Sequence, residues 1–216
     1  MQMNEYVCGT DEHLADRPFA DPANTWDDLV VMQRIVGELR GLMATSDARA
    51  LEHYPGIIYR HDSRSAHRFV INQMRALRTH RVFTLVGFFG HRHTELDAAD
   101  LNEADALLLA ELREHPGMLA YCSYQTHGEQ YANLVIFDSP TAQAHWSRSE
   151  HHAHIAATVS PRYYTYIRLH NASLTGGFDD DCAITVHRTK YFDYTNSAAP
   201  NLPWRGLRAY DQPRAA

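Results

Sequence analysis

Fifteen histidines and twelve tyrosines are the enrichments with chemical potential in this 216-residue chain. Histidine titrates closest to neutrality and is the commonest metal ligand, so the place where imidazoles gather is the first to examine. The densest group is His145, His151, His152 and His154. On one helix turning roughly 100° per residue, His151 and His154 share a stripe while His145 and His152 share another. Trp146 and Ile155 mark the apolar side, and His154 lies nearer to it than His152. His154 or His151 is therefore the expected axial ligand or catalytic base. The alternative is a solvated histidine face that holds nothing. A zinc site would take two ligands from this helix and a third from His91 or His93, although the HExxH spacing is absent.

Two further groups have types suited to binding. Arg64 and Arg68, with Arg60 ahead of them, recur at i, i+4 and i+8 around a predicted helix over 63–79. Such a row suits bidentate clamping of the carboxylates of haem or of an anionic substrate. The alternative is a solvated face paired with the many acidic residues. The other group is Tyr121, Tyr124, Asn133, Tyr164, Tyr166, Arg168 and His170. Alternation along a strand places Tyr164, Tyr166, Arg168 and His170 on one face, and mixed apolar bulk with a few polar groups is what small-molecule pockets present. Tyrosines there serve equally well as core residues whose hydroxyls reach a rim.

The elements that would position these residues follow from periodicity. Residues 1–24 read as an irregular arm. A helix over 25–44 is predicted from Leu29, Met32, Val36, Leu39 and Met43, with Asp27 and Asp28 in its first turn where the dipole favours anions. A short strand at Ile57–Tyr59 precedes the predicted 63–79 helix. Then come a strand over 82–90, a helix over 101–115 stopped by Pro116-Gly117, strands over 118–126 and 130–138, a helix from 139 to about 158, and a strand over 162–170. A further strand over 182–194 and a turn-rich tail anchored by Trp204 close the chain. The order within 82–170 is that of the split βαβ motif, a ferredoxin-like βαββαβ unit. The expected fold is α+β, with an arm of two helices over 1–80, the ferredoxin-like domain over 81–172 and an extension over 173–216. Two helices cover only one face of four strands, so the other face is expected to meet a twin subunit in a homodimer.

The stretch 82–170 resembles the antibiotic-biosynthesis-monooxygenase-like and haem-binding branches of the dimeric α+β-barrel superfamily. The likeness rests on His115-Pro116-Gly117, on Asp138-Ser139-Pro140-Thr141-Ala142, and on Trp146-Ser147-Arg148-Ser149 followed by Glu150-His151-His152-Ala153-His154. It covers roughly 40% of the chain, and its short motifs speak to fold more than to reaction. The resemblance implies a small-molecule oxidoreductase acting in a barrel cavity on an apolar or aromatic substrate. It implies haem with its iron on His154, and the expected cofactor-binding set is His151, His154, Trp146, Arg64 and Arg68. His154, Tyr166 and Arg168 form the expected catalytic set. The alternative from another class is a cofactor-free, non-catalytic small-ligand-binding protein of the same fold.

Composition narrows the partners. A net charge of −6 argues against nucleic acid, and no apolar run approaches the roughly 18–20 residues of a membrane span. Cys8, Cys122 and Cys182 are odd in number and form no CxxC pair, which predicts a reducing, cytoplasmic setting. The N-terminus lacks the basic and apolar regions of a signal peptide. No glycine-rich phosphate loop, GxSxG elbow or Ser-His-Asp spacing is present.

Overall fold

A computed structural model of the chain describes residues 5–45, 51, 56–61, 66–93, 110, 111, 113–125, 130–195 and 203–210. The expected helix over 101–115 falls largely outside these residues, as do Arg64 and the tail beyond 210. The fold is α+β. Nine strands form one sheet: β1 (Tyr6–Cys8), β2 (Gly56–His61), β3 (Ala66–Ile71), β4 (Val82–Arg92), β5 (Met118–Gln125), β6 (Gln130–Phe137), β7 (Tyr164–Thr175), β8 (Ala183–Asp193) and β9 (Trp204–Ala209). Their spatial order is β1-β9-β8-β7-β4-β6-β5-β3-β2, so strands from all three expected segments join one sheet. Every pairing is antiparallel except that of β1 with β9. No helix among the described residues is long and apolar enough to cross a membrane.

Helix α1 (Pro22–Met43) begins with Asp21 as its N-cap, the carboxylate accepting from the Ala23 N–H, and with proline at its first position. Its stripe of Met32, Ile35, Val36, Leu39, Leu42 and Met43 is buried against Phe69, Leu85, Phe89, Cys122, Leu134 and Leu174 of the sheet. The face expected to await a twin subunit is therefore covered by the chain's own helix, and the argument for a dimer through that face no longer holds. Leu29, expected in the stripe, is only half-buried. At Gly87 the helix comes so close that an added Cβ would meet the Met32 sulfur at 2.8 Å. The opposite face carries α3 (Pro140–Trp146), whose Trp146 packs with Met118, Val135 and Phe137.

Three expectations are corrected. Residues 66–71 form strand β3 rather than the start of a helix over 63–79, and only α2 (Met74–Thr79) is helical there. Phe69 and Ile71 alternate with Arg68 and Val70, and pairing with β2 on one side and β5 on the other satisfies the backbone, which outweighs a plausible helical spacing. The helix from 139 is broken. It stops at Trp146, resumes as α4 (Glu150–His154), loosens into a π turn over Ile155–Val159 and ends with α5 (Ser160–Tyr163). Ser147 and Ser149 at the break bond locally, one donating to the Ala144 carbonyl and the other accepting from the His152 N–H. Finally, β7 starts two residues later than expected and runs to Thr175, because β4 and β8 pair with it along its length before the positive-φ pair Gly176-Gly177 turns the chain.

Residues 5–20 of the arm and 203–210 of the tail also pack on the sheet. A third core cluster joins Cys8, Ala20 and Tyr191 with Leu14, Phe19 and Trp204. Arg208, fully buried on β9, donates to the carbonyls of Gly9, Thr10, Glu12 and Ala20, and to the Tyr191 hydroxyl. One guanidinium thus ties the segment 9–20 to the sheet.

Candidate functional site

Between the arm, the first turns of α1 and the ends of β4, β6, β7 and β8 lies an open cleft of about 520 Å³. Small-molecule sites are roughly 300–1,000 Å³ in volume, so this one is of the right size. Its wall is aromatic. Phe19 from the arm stacks on Tyr166 of β7 at 4.8 Å, and His91 stacks on the same Tyr166 ring at 5.1 Å. Phe89 and Tyr131 add to its aromatic lining, the Tyr131 hydroxyl accepting from Arg92 at 2.7 Å.

The floor is a buried ionic network. Asp28 of α1 and Arg168 of β7 are 4% and 7% exposed, and His170 is wholly buried. Arg168 Nε and Nη2 donate to Asp28 Oδ2 and Oδ1 at 2.6 and 2.8 Å, the bidentate fork that a guanidinium and a carboxylate make best. His170 Nε2 lies 2.9 Å from Oδ2, and a carboxylate only accepts, so that nitrogen carries a proton. Its Nδ1 lies 2.8 Å from the Thr189 hydroxyl. Burial opposes the charge on Arg168, yet the hydrogen bonds and charge of Asp28 hold its pKa above the ordinary arginine value. Chemically, the floor is a fixed dipole rather than a free acid or base.

The sequence-derived groups are sorted differently by the structure. Tyr166 and Arg168 are in the cleft, and His170 lies behind Arg168. Tyr164 leaves their face: it packs on Phe88 at 5.2 Å and overlies Gly90, and burial pushes its hydroxyl pKa up. Tyr124 joins a second buried network under α1, donating to Glu38 Oε2 at 2.6 Å beside His67 Nδ1 at 2.8 Å from the same oxygen. Burial works against the Glu38 carboxylate, but these bonds hold its pKa below the ordinary value. Tyr121 packs toward Trp146 on the other face, and Asn133 follows by alternation. Arg68 donates to the Ser123 hydroxyl from Nε and Nη2 at 3.2 and 2.9 Å and lies over Tyr121.

The histidine helix is the largest revision. His154 is exposed and its ring sits 3.3 Å from the Thr158 hydroxyl, whereas His152 is half-buried against Trp146 at 5.5 Å. The expected order of burial is reversed, because the break at 147–149 resets the helical phase after Trp146. Of the His151 side chain nothing is described. His145 Nδ1 meets His115 Nε2 at 3.1 Å, and His115 also packs edge-on against Trp146. Burial and the neighbouring His145 depress the His115 pKa, and burial depresses that of His152.

These placements test the implied haem. Its expected ligand, His154, points to solvent. Arg68 of its expected clamp lies on β3, bonded to the Ser123 hydroxyl and over the Tyr121 ring. Among the described residues, His154 and Arg68 do not meet at one enclosed site, so haem held by that pair does not fit; the His151 side chain and Arg64 lie outside the described residues. Among the described residues no three histidine, cysteine, aspartate or glutamate side chains are placed to hold a metal ion. Sequence reasoning placed none of Phe19, Asp28 and Thr189 in a site, and read Asp28 only as a first-turn residue of its helix. Asp28 carried a usable signal: it sits one turn before Met32 on the buried stripe, where a carboxylate needs a buried partner. Comparison with protein-family models, with curated proteins and with solved structures finds no match to this chain.

Proposed function

We propose that this chain is a cofactor-free protein that binds a small aromatic or apolar molecule in the cleft between the arm, α1 and β7. The observation that carries the reading is the Phe19–Tyr166 stack lining a cleft beside the buried Asp28–Arg168 pair, which offers a ligand aromatic surface and fixed polar geometry. A ferredoxin-like core is supported by the order β7-β4-β6-β5 of the four central strands, in which β6 lies between and antiparallel to β4 and β5. Of the two sequence-derived readings, the monooxygenase-like oxidoreductase draws less support than ligand binding. Both Asp28 oxygens and both His170 nitrogens are engaged within the network, which leaves no floor group poised to take a proton from a substrate.

Ligand-observed NMR with a panel of one- and two-ring aromatic compounds tests the proposal. Binders should lose their saturation-transfer signal with Phe19→Ala and with Tyr166→Ala, both of which sit at the cleft wall and not in the main core. Binding that survives both substitutions, or an entire panel without a binder, would refute it.

A further inference from the structure

A second group of titratable side chains lies on the face of the sheet opposite α1, and the cleft makes no use of it. His115, His145 and His152 gather about Trp146, which is 7% exposed. We propose that His115 and His145, bonded beside Trp146, form an acid-sensitive clasp that holds α3 on the sheet at neutral pH and releases it when His115 takes up a proton. His115 Nε2 and His145 Nδ1 face one another at 3.1 Å, so one N–H···N bond joins the rings and a single proton lies between them. A proton taken up by the exposed His145 preserves that bond, donated from its Nδ1. A further proton on His115 puts N–H groups on both facing nitrogens, and the contact becomes repulsive. His115 finds no relief on its other side, because it is 8% exposed and its Nδ1 has no hydrogen-bond partner among the described residues.

The charged and titratable groups near His115, among the described residues, are Glu111 of its own turn, His145 of α3 and Asp138 after β6. Glu111 also acts on His152 of α4, and the sheet beneath contributes Tyr121. The two carboxylates favour a charged His115, but burial and His145 outweigh them. The surroundings let α3 leave without dissolving the fold. Trp146, Met118, Val135 and Phe137 form a cluster separate from the core beneath α1. The chain breaks at 147–149, and the segment beyond loosens into the π turn over Ile155–Val159. Small satellite clusters open locally at lower free energy than a main core. Release uncovers Met118, Val135 and Phe137, so the acid form gains an apolar patch that the neutral form keeps covered.

Hydrogen exchange of the full chain at pH 7.5 and pH 5.5, corrected for intrinsic exchange rates, reads the clasp. Uptake of one proton on opening shifts the equilibrium by up to about tenfold per pH unit below the open-state pKa, so protection over 140–146 should be about tenfold lower at pH 5.5. Protection over β4 and β7 should stay level. His115→Phe removes the titrating nitrogen while keeping a ring in place, and should abolish the response. His145→Gln lies at an exposed position, keeps an amide beside His115 and takes up no proton, so the response should shrink to less than about threefold. His152→Gln should leave the response over 140–146 intact, because the bond between His115 and His145 remains. Equal protection at both pH values in the parent would overturn the proposal, as would a uniform loss over α3, β4 and β7, which marks global destabilisation. A full response in His145→Gln would show that His115 acts as a lone buried histidine and not as half of a clasp. A response lost in His152→Gln would place the sensitive contact on α4 and overturn the assignment equally.

Discussion

Replacing Asp28 by alanine leaves the Arg168 charge without its partner at a largely buried position. The fork at 2.6 and 2.8 Å and the His170 contact at 2.9 Å all end on this one carboxylate, and the three residues are 7% exposed or less. Removing one partner of a buried pair costs about 3–5 kcal/mol, chiefly because the survivor stays charged and unpaired. In a chain of this size each kcal/mol lowers Tm by about 2–4 °C, so the melting point should fall by about 6–20 °C. Arg168→Met should cost a similar amount by leaving the carboxylate with His170 alone. The double variant Asp28→Leu/Arg168→Met removes both charges and should cost less than either single variant, since apolar replacement of a whole pair is often close to neutral. Urea unfolding at pH 7.5 followed by circular dichroism supplies the three values. Single-variant costs below about 1 kcal/mol, or effects that add within about 0.5 kcal/mol, would mean that the pair is not energetically coupled and that the floor is not the rigid element described above.

Three other outcomes follow from named contacts. Arg208→Met gives up the bonds to the carbonyls of Gly9, Thr10, Glu12 and Ala20; with each bond to a charged donor worth about 1.5–3 kcal/mol, stability should drop by several kcal/mol and limited proteolysis should cut within 9–20. Retained protease resistance would show that the arm is held by something else. Val36→Asp places a carboxylate at a position only 3% exposed under α1, and should cost several kcal/mol in urea unfolding; a variant that unfolds like the parent would contradict the packing of α1 on the sheet. The depressed pKa values of His115 and His152 make their stabilising contribution full above the ordinary histidine value of 6.5 and progressively lost as pH falls below it, because the unfolded chain then binds protons the folded chain resists. Tm should therefore fall between pH 7 and pH 5, and fall less in His115→Phe; equal pH dependence in both proteins would remove His115 as a source.

The central strands were legible because their signals are local. Val82–Arg92 is a nearly unbroken apolar run, Pro116-Gly117 stops the preceding segment, and β5 and β6 are neighbours in sequence as well as in the sheet. Strands β1 and β9 lacked any such signal. Tyr6–Cys8 is three residues long and finds its partner at Gly206–Arg208, so its strand character arises from a contact between the two ends of the chain. At 66–71 two periods fit the same letters, and only the availability of β2 and β5 as partners decides between them. The site divides along the same line. Tyr166 and Arg168 could be placed on one face from the strand period alone. The choice between His152 and His154 depended on helical phase across 147–149, and a break of a few residues inverts that phase without altering composition.

Asp28 shows how the site and the fold share a determinant. Met32, Ile35, Val36, Leu39, Leu42 and Met43 form a stripe of interchangeable apolar volume, and sliding α1 by one turn, about 5.4 Å, would exchange one buried methyl surface for another at modest cost. The fork to Arg168 tolerates no such slide, because separating the two charges inside the core would cost about 3–5 kcal/mol. The ion pair, together with the Glu38 contacts to His67 and Tyr124, thus selects one seating of the helix out of several that the apolar stripe would accept. That seating also sets Asp27 at the rim and Val31 in the lining of the cleft. The double variant Asp28→Leu/Arg168→Met should accordingly fold to near-parental stability yet show more than one set of amide resonances for α1 and β7. Its affinity for an aromatic ligand of the cleft should fall along with the loss of a single register. A double variant with one sharp set of resonances matching the parent would show that apolar packing alone seats the helix.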